Sequence, residues 1–415
     1  MPTISTRGRV ALAVGSVVAW ASQRAGRGKG GMIGGLAAMT LAPSIMGQLA
    51  QGRRTVLVTG TNGKSTTTRM TAAGLGTVAP VASNADGANM DAGLIAALAA
   101  DRTAALAVLE VDELHLPHVS DAVHPAVVVL LNLSRDQLDR VGEITMIERR
   151  LRAGLARHPD TIVVANCDDV LVSSIAFDCP NVVWVAAGGG WAADSAGCPR
   201  SNGQIVWEGA HWFSSADASF SRPEPDWWVD ETTLHGPGGT ALEMNLALPG
   251  RANRGNAAQA VAAAVTLGAT PVDAVRAAAE VSEVAGRYKR IQLGVHSVRL
   301  LLAKNPAGWQ EALSMVDRDA PGLVVAVNGQ VPDGTDLSWL WDVRFEDFEG
   351  VRVVAAGERA ADLAVRLTYG GLEHQVVPDT VRAIASCPPG RVEVLANYTA
   401  FRDLNRAITK RTSHV

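Results

Sequence analysis

From residue 55 onward, short β-branched runs alternate with alanine-rich stretches of helical spacing. "TVLVTG" (55–60), "PVASN" (80–84), "AALAVLEV" (104–111), "AVVVLLNL" (126–133) and "TIVVAN" (161–166) read as strands. Their nearly unbroken hydrophobicity is what a parallel sheet covered on both faces requires. Alternation with helices predicts an α/β fold built on a doubly wound, mostly parallel sheet. Helices are expected from Lys64, over 253–268 and over 270–281. The texture changes between about 188 and 239. Glycine, serine, proline and tryptophan surround the short runs "QIVW" and "HWF", which predicts a small β insertion and not another strand–helix unit. A second α/β set follows, with strands over 295–303, 323–328, 351–357 and 391–398 and helices over 358–369 and 399–410. The pattern divides the chain into an N-terminal helical lead (1–50), a central domain (51–290) carrying the insertion, and a C-terminal α/β domain (291–415).

The 415 residues suffice for several cores. With 47% apolar and 19% charged residues and a net charge of -4, the chain is ordinary for a globular protein and lacks a basic excess for nucleic acid. Cys167, Cys179, Cys198 and Cys387 contain no C-x-x-C pair, so neither a disulfide framework nor a complete zinc knuckle is visible, and a reducing, cytoplasmic setting fits. The run "VALAVGSVVAWAS" (10–22) is too short to span a bilayer. It reads as a helix packed on the next domain, with a signal-peptide core as the alternative. Arg24, Arg27 and Lys29 after it leave room for peripheral attachment to a membrane surface.

The strand-to-helix junction "VLVTGTNGKSTTTRM" (56–70) carries the chemistry. The usual phosphate loop reads G-x-x-x-x-G-K-[ST]. Here Val58 stands where its first glycine belongs, and the glycine is Gly60. The shortened loop still supplies what a triphosphate needs. Gly60, Thr61, Asn62 and Gly63 can bring backbone N–H groups close, a helix begins at the anion, and Lys64 reaches the terminal phosphates. Ser65 or Thr66 offers a hydroxyl to Mg²⁺. The bland alternative is a glycine-rich turn with an exposed lysine. "VLEVDE" (108–113) ends a strand in a carboxylate cluster, suited to a hard cation or simply to water.

The form G-T-N-G-K-[ST]-T resembles the ATP loop of the Mur ligases and folylpolyglutamate synthetases, which convert a carboxylate to an acyl phosphate for attack by an amine. "NADGANMDAG" (84–93), "NLSRDQLDR" (132–140), "NCDD" (166–169), "PGRANRGNAAQA" (249–260) and "GRYKR" (286–290) extend the resemblance in order. It implies Glu110 and Ser65 as Mg²⁺ ligands, Asn84 beside the triphosphate, Asn253 and Asn256 at the nucleotide, and Arg287 at an interdomain hinge reaching ATP. "LLLAKNPAGW" (300–309), "RPEPDWW" (222–228), "DGTDLSWLWDVRFE" (333–346) and "ANYTAF" (396–401) resemble the MurT branch, Mur-ligase-like subunits of the enzyme that amidates lipid II. That resemblance implies ATP-dependent activation of the D-glutamate α-carboxylate in the lipid II stem peptide. Ammonia comes from a glutaminase subunit, GatD, docked on the C-terminal domain. Asp336 would complete the partner's Cys–His pair; an Asx turn is its structural reading, and Asp333 is the nearby competitor.

The chain departs from the family in two places. Many MurT proteins carry a four-cysteine zinc ribbon in the insertion; here only Cys198 remains, with Ser201 at its partner position, so no zinc is expected. Packing through Trp191, Trp207 and Trp212 is expected instead. The amino-acid-adding ligases also use a carbamoylated lysine, and no lysine lies between Lys64 and Lys289. Two other readings stay open: a Mur- or folylpolyglutamate-type ligase attaching an amino acid, and a nucleotide-binding scaffold without turnover.

Overall fold

The computed structural model describes residues 4–24, 31–84, 87–134, 141–188, 196–282, 288–348 and 350–412. They gather into two compact units. The first holds the described residues up to Ser134 and from Gly142 to Ser282; the second holds Val141 and those from Tyr288 on.

In the first unit, the apolar runs become β1 (Arg54–Thr59), β2 (Val81–Ser83), β3 (Leu106–Glu110), β4 (Val127–Leu130), β5 (Ile162–Asn166) and β6 (Val182–Ala186). A hairpin of β7 (Ile205–Glu208) and β8 (His211–Ser214) follows, then β9 (Trp227–Asp230), β10 (Thr233–Gly236) and β11 (Thr240–Glu243). The main sheet has the order β11-β10-β9-β6-β5-β4-β1-β3-β2. It is parallel from β2 to β9, with β10 and β11 added antiparallel. Strand alternation sorts the core: Leu57, Leu109 and Val128 face the helices Ile45–Ala50, Asp91–Ala100, Leu116–Val123 and Val141–Leu155. On the other face the helix Lys64–Gly76 packs with Arg251–Thr266 and Pro271–Ala279. Pro271 at the first helical position and Thr270, whose hydroxyl accepts from Asp273 N at 3.1 Å, set the start of the last.

The stretch expected to form one small insertion does two different things. Its first part is the separate β7–β8 hairpin, closed over Cys198, Ile205, Trp212 and Phe220, with Trp207 packed against them. Trp191 lies outside the described residues. Its second part extends the main sheet. Asp226 N donates to Trp184 O at 2.8 Å, and the Asp226 carboxylate accepts from Trp184 N at 2.8 Å, which sets β9 beside β6. The alternation in "WWVD" then buries Trp227 and exposes Trp228, since successive side chains of a strand point to opposite faces of the sheet.

The second unit is a six-stranded sheet of β12 (Tyr288–Leu293), β13 (His296–Leu302), β14 (Gly322–Ala326), β15 (Val353–Ala356), β16 (His374–Val376) and β17 (Gly390–Ala396), ordered β12-β13-β17-β14-β15-β16. Only the β12–β13 pairing is antiparallel. Helices Ala360–Tyr369 and Tyr398–Thr412 lie where the sequence pattern places them. Trp309 stacks on Trp339 at 5.4 Å within the core, and Phe345 packs beside them. No described helix is long and apolar enough to cross a membrane.

Candidate active site

The shortened loop folds as a tight bridge from β1 to the helix Lys64–Gly76. Gly60 has φ +139° and Gly63 φ +83°, conformations that side chains disfavour. Space forbids a side chain as well: a Cβ on Gly63 would lie 2.5 Å from Asn256 Oδ1, and one on Gly60 2.9 Å from Asn132 O. Because Gly63 occupies the cap position, the helix start carries no side-chain cap. Its first N–H groups are the kind that bind an anion. The loop is stapled to the segment after β4. Thr61 N donates to Asn132 O at 2.9 Å, Thr61 Oγ1 to Ser134 O at 3.1 Å, and Asn62 N to Asn132 Oδ1 at 2.8 Å.

Lys64 is buried and turned back on the loop. Its ammonium donates to Gly60 O at 2.5 Å and Thr61 O at 3.2 Å, and pairs with Glu113 at 3.3 Å. Ser65 Oγ donates to Glu110 Oε2 at 2.7 Å. Glu110, at the end of β3, is 2% exposed, and its other oxygen accepts from Asn89 Nδ2 at 3.2 Å. A buried carboxylate and a hydroxyl, both oxygen donors, fit a hard divalent cation. Thr66 is buried one position on.

Asn84 grips the Glu110 peptide from both sides. Glu110 N donates to Asn84 Oδ1 at 2.7 Å, and Asn84 Nδ2 donates to Glu110 O at 2.8 Å. The structure therefore gives Asn84 a hold on the carboxylate's backbone. Asn256 lies against Gly63, and Asn253 one turn earlier donates to Pro249 O at 2.6 Å. Both are buried on the helix Arg251–Thr266, whose Gln259 also donates to Leu130 O at 2.9 Å. A cleft of about 770 Å³ opens at the start of this helix, lined by Asp168, Arg222, Trp228, Arg251 and Arg254. Arg287 lies outside the described residues.

Asp336 belongs to the second unit. It is exposed, and its carboxylate accepts from Ser338 N at 2.8 Å in an Asx-type turn. The Ser338 backbone and hydroxyl bonds hold its carboxyl below the usual carboxylate range. Asp333 is held inside: its carboxylate accepts from Thr399 N at 3.2 Å and from the Thr399 hydroxyl. Burial pushes its carboxyl up despite those bonds.

Sequence reasoning missed four supports. Glu113 as the partner of Lys64 was visible only as one acid of a cluster, and Asn89 and Asn132 lay inside the motifs "NADGANMDAG" and "NLSRDQLDR" without a role assigned to either. The fourth is Asp91, which lies 3.0 Å from His115 Nδ1 and 2.8 Å from His118 Nε2 and ties the two segments flanking Glu110 together. Burial alone would raise the Asp91 carboxyl, but the bonds to His118 and His115 outweigh it and lower it. The i, i+3 spacing of the histidines was the available signal.

Residues 58–264 match the Mur ligase middle domain and residues 302–401 match the MurT ligase C-terminal domain. The lipid II isoglutaminyl synthase (glutamine-hydrolyzing) subunit MurT of Streptococcus pneumoniae is 27% identical over 92% of this chain and 93% of its own. The MurT subunit of Staphylococcus aureus strain COL is 25% identical over 85% and 87%. Among solved structures, a pseudomurein peptide ligase type C from Methanothermus fervidus superposes with a TM-score of 0.67 at 18% identity, covering 86% of this chain and 79% of that one. MurF from Acinetobacter baumannii gives 0.64 at 19%, covering 87% and 77%. These likenesses carry the fold. Matched in order by a Mur ligase middle domain and a MurT C-terminal domain, and aligned along nearly its whole length with curated MurT subunits, the chain belongs to the MurT branch of the Mur ligase family.

Proposed function

We propose that this protein is the synthetase subunit of a lipid II isoglutaminyl synthase. It uses ATP and Mg²⁺ to amidate the α-carboxylate of D-glutamate in the lipid II stem peptide, through an acyl phosphate. The ammonia comes from a glutaminase subunit of the GatD type, and the reaction takes place in the cytoplasm at the inner face of the membrane. The curated relatives' names and the MurT C-terminal match support the amidating reading over an amino-acid-adding ligase.

The observation that carries the chemistry is the pairing of Ser65 with buried Glu110 at 2.7 Å, beside a glycine-built, uncapped helix start and a buried lysine. In the proposed roles, the loop from Gly60 to Gly63 and the first-turn N–H groups cradle the phosphates. Lys64 leaves the Gly60 and Thr61 carbonyls to meet the terminal phosphate, where positive charge lowers the barrier to transfer. Bound Mg²⁺ neutralises phosphate charge. Ser65 and Glu110 would hold it, with Asn84 and Asn89 fixing Glu110 and Thr66 closing the turn. Asn256 braces Gly63, while Asn253, next to it on the helix, and Arg287 complete the nucleotide contacts by family likeness. Exposed Asp336 would orient the histidine of the partner's Cys–His pair; Asp333, already bonded to Thr399, is poorly placed for that.

The test is reconstitution of the full chain with its glutaminase, lipid II, ATP and either glutamine or ammonium, followed by mass analysis of the lipid. Conversion of one carboxyl to an amide is expected with both nitrogen sources. ADP release with free amino acids in place of ammonia would replace this reading with an amino-acid-adding ligase. Bound ATP without any turnover would leave a scaffold.

A further inference from the structure

The first two helices carry their large apolar side chains outward. In Thr6–Arg24 the buried residues are the small ones: Gly8, Ala11, Gly15 and Ser22. Val10, Val14 and Val17 recur at helical spacing on the opposite side and are exposed, Val17 by 64%, with Trp20 at 56% on the flank. In Gly31–Leu41, Gly34, Gly35 and Ala38 face inward, while Met32, Ile33 and Leu36 are exposed. Packing explains the inversion. A Cβ on Gly15 would stand 2.6 Å from Gly34 O, so the helices meet at backbone contact and admit only small residues between them. A surface helix ordinarily turns its bulky apolar side to the core. One that turns it outward marks an interaction surface.

Charge names the occupant. Through residue 85 the chain contains lysine and arginine but no aspartate or glutamate, in a protein with 41 acidic residues and a net charge of -4. Arg7 and Arg9 open the first helix and Arg24 closes it, its guanidinium 5.1 Å from the Trp20 ring. A branched apolar stripe, a tryptophan at its edge and arginines at both ends is the composition of a helix lying in the interface of an anionic bilayer. A symmetric pairing with a second copy would instead set arginine against arginine. Since no described helix is built to cross a membrane, the element would rest on the surface.

We infer that the outward faces of the helices Thr6–Arg24 and Gly31–Leu41 dock this protein on anionic phospholipid. The purpose of such docking rests on the lipid II reading, because it brings the nucleotide loop to a substrate that never leaves the bilayer.

The experiment is co-sedimentation of the full chain with vesicles of phosphatidylcholine alone and of phosphatidylcholine with phosphatidylglycerol. Binding is expected to the anionic vesicles and to weaken in high salt. The pair Val14→Asp and Val17→Asp should cut partitioning by about tenfold or more. Arg7→Glu with Arg24→Glu should erase the preference for anionic vesicles. The aspartate variant is checked for folding by its thermal midpoint and by amidation of a water-soluble stem peptide in the glutaminase complex, both expected to match the unaltered protein. If the unaltered complex leaves that soluble peptide untouched, the functional reading fails while vesicle binding still stands. The docking proposal is overturned if the unaltered chain ignores anionic vesicles or if the aspartate variant binds them equally well. It is equally overturned if that variant instead loses self-association or its glutaminase partner.

Discussion

Gly63 is where the site is least forgiving. Its φ of +83° disfavours any side chain by about 1–2 kcal/mol, and an added methyl would strike Asn256 Oδ1. Gly63→Ala should therefore weaken ATP binding by about tenfold or more, read by nucleotide titration calorimetry. Unchanged affinity would mean that the loop does not hold the nucleotide. The glycines, Lys64 and Ser65 were legible because a phosphate loop is written in consecutive residues. Glu113, Asn89 and Asn132 were not, because their partners lie far away in sequence and only the folded sheet brings them together. Cys167 shows the same limit. It is buried beneath the Trp212 indole, which donates to its carbonyl at 3.0 Å, and burial foremost, then the Asp168 charge, pushes its thiol up to about 12. A raised folded value favours the protonated, folded form below the ordinary thiol range and withdraws that support as pH climbs from about 9 toward 12. Native alkylation at mildly alkaline pH should leave Cys167 unmodified by peptide mass mapping, and Cys167→Ala should flatten the loss of stability over that window.

Elements were legible wherever hydrophobic runs were long. The buried strands β1, β3, β4, β5, β13, β14, β15 and β17 were read directly. By contrast, the four-residue strands β9 and β10 were absorbed into a supposed insertion and β11, just beyond it, was not read, because short segments rich in tryptophan and glycine look like loop. Order across the sheet was not legible at all, since backbone pairing leaves no trace in composition. The β7–β8 hairpin is packed around Ile205, Trp212 and Phe220, with Cys198 among them. The Cys198 sulfur accepts bonds from the Ser201 and Ser214 hydroxyls and from the Arg200 and Ser201 backbone; burial opposes them, yet its thiol ends below the usual range. Chelator treatment should leave the hairpin's melting unchanged. Trp212→Ala, which empties the middle of that cluster, should cost about 3–5 kcal/mol of local stability by hydrogen exchange. In the second unit, Arg299 and Glu393 sit opposite each other on β13 and β17, joined at 2.6 Å with the acid fully buried. Arg299→Met strands that acid and should cost about 3 kcal/mol in denaturant unfolding, since Arg391 at 3.5 Å supplies only part of the lost charge.

At the scale of the whole molecule, the two proposed chemistries reside in different compact units: Lys64 in the first, Asp336 in the second. Lys64→Ala should lower amidation by at least about a hundredfold from either glutamine or ammonium. Asp336→Asn should abolish only the glutamine-dependent reaction. Equal loss from both sources would remove Asp336 from the partner's site. The salt bridge between Lys64 and Glu113 has a broader meaning for turnover. On the proposed function, the Lys64 ammonium already faces the Glu113 carboxylate, so a phosphate taken up by the loop would have to displace that acid. After the proposed transfer, the same acid would stand ready to reclaim the ammonium, which would favour departure of the spent nucleotide and reset the pocket for another cycle.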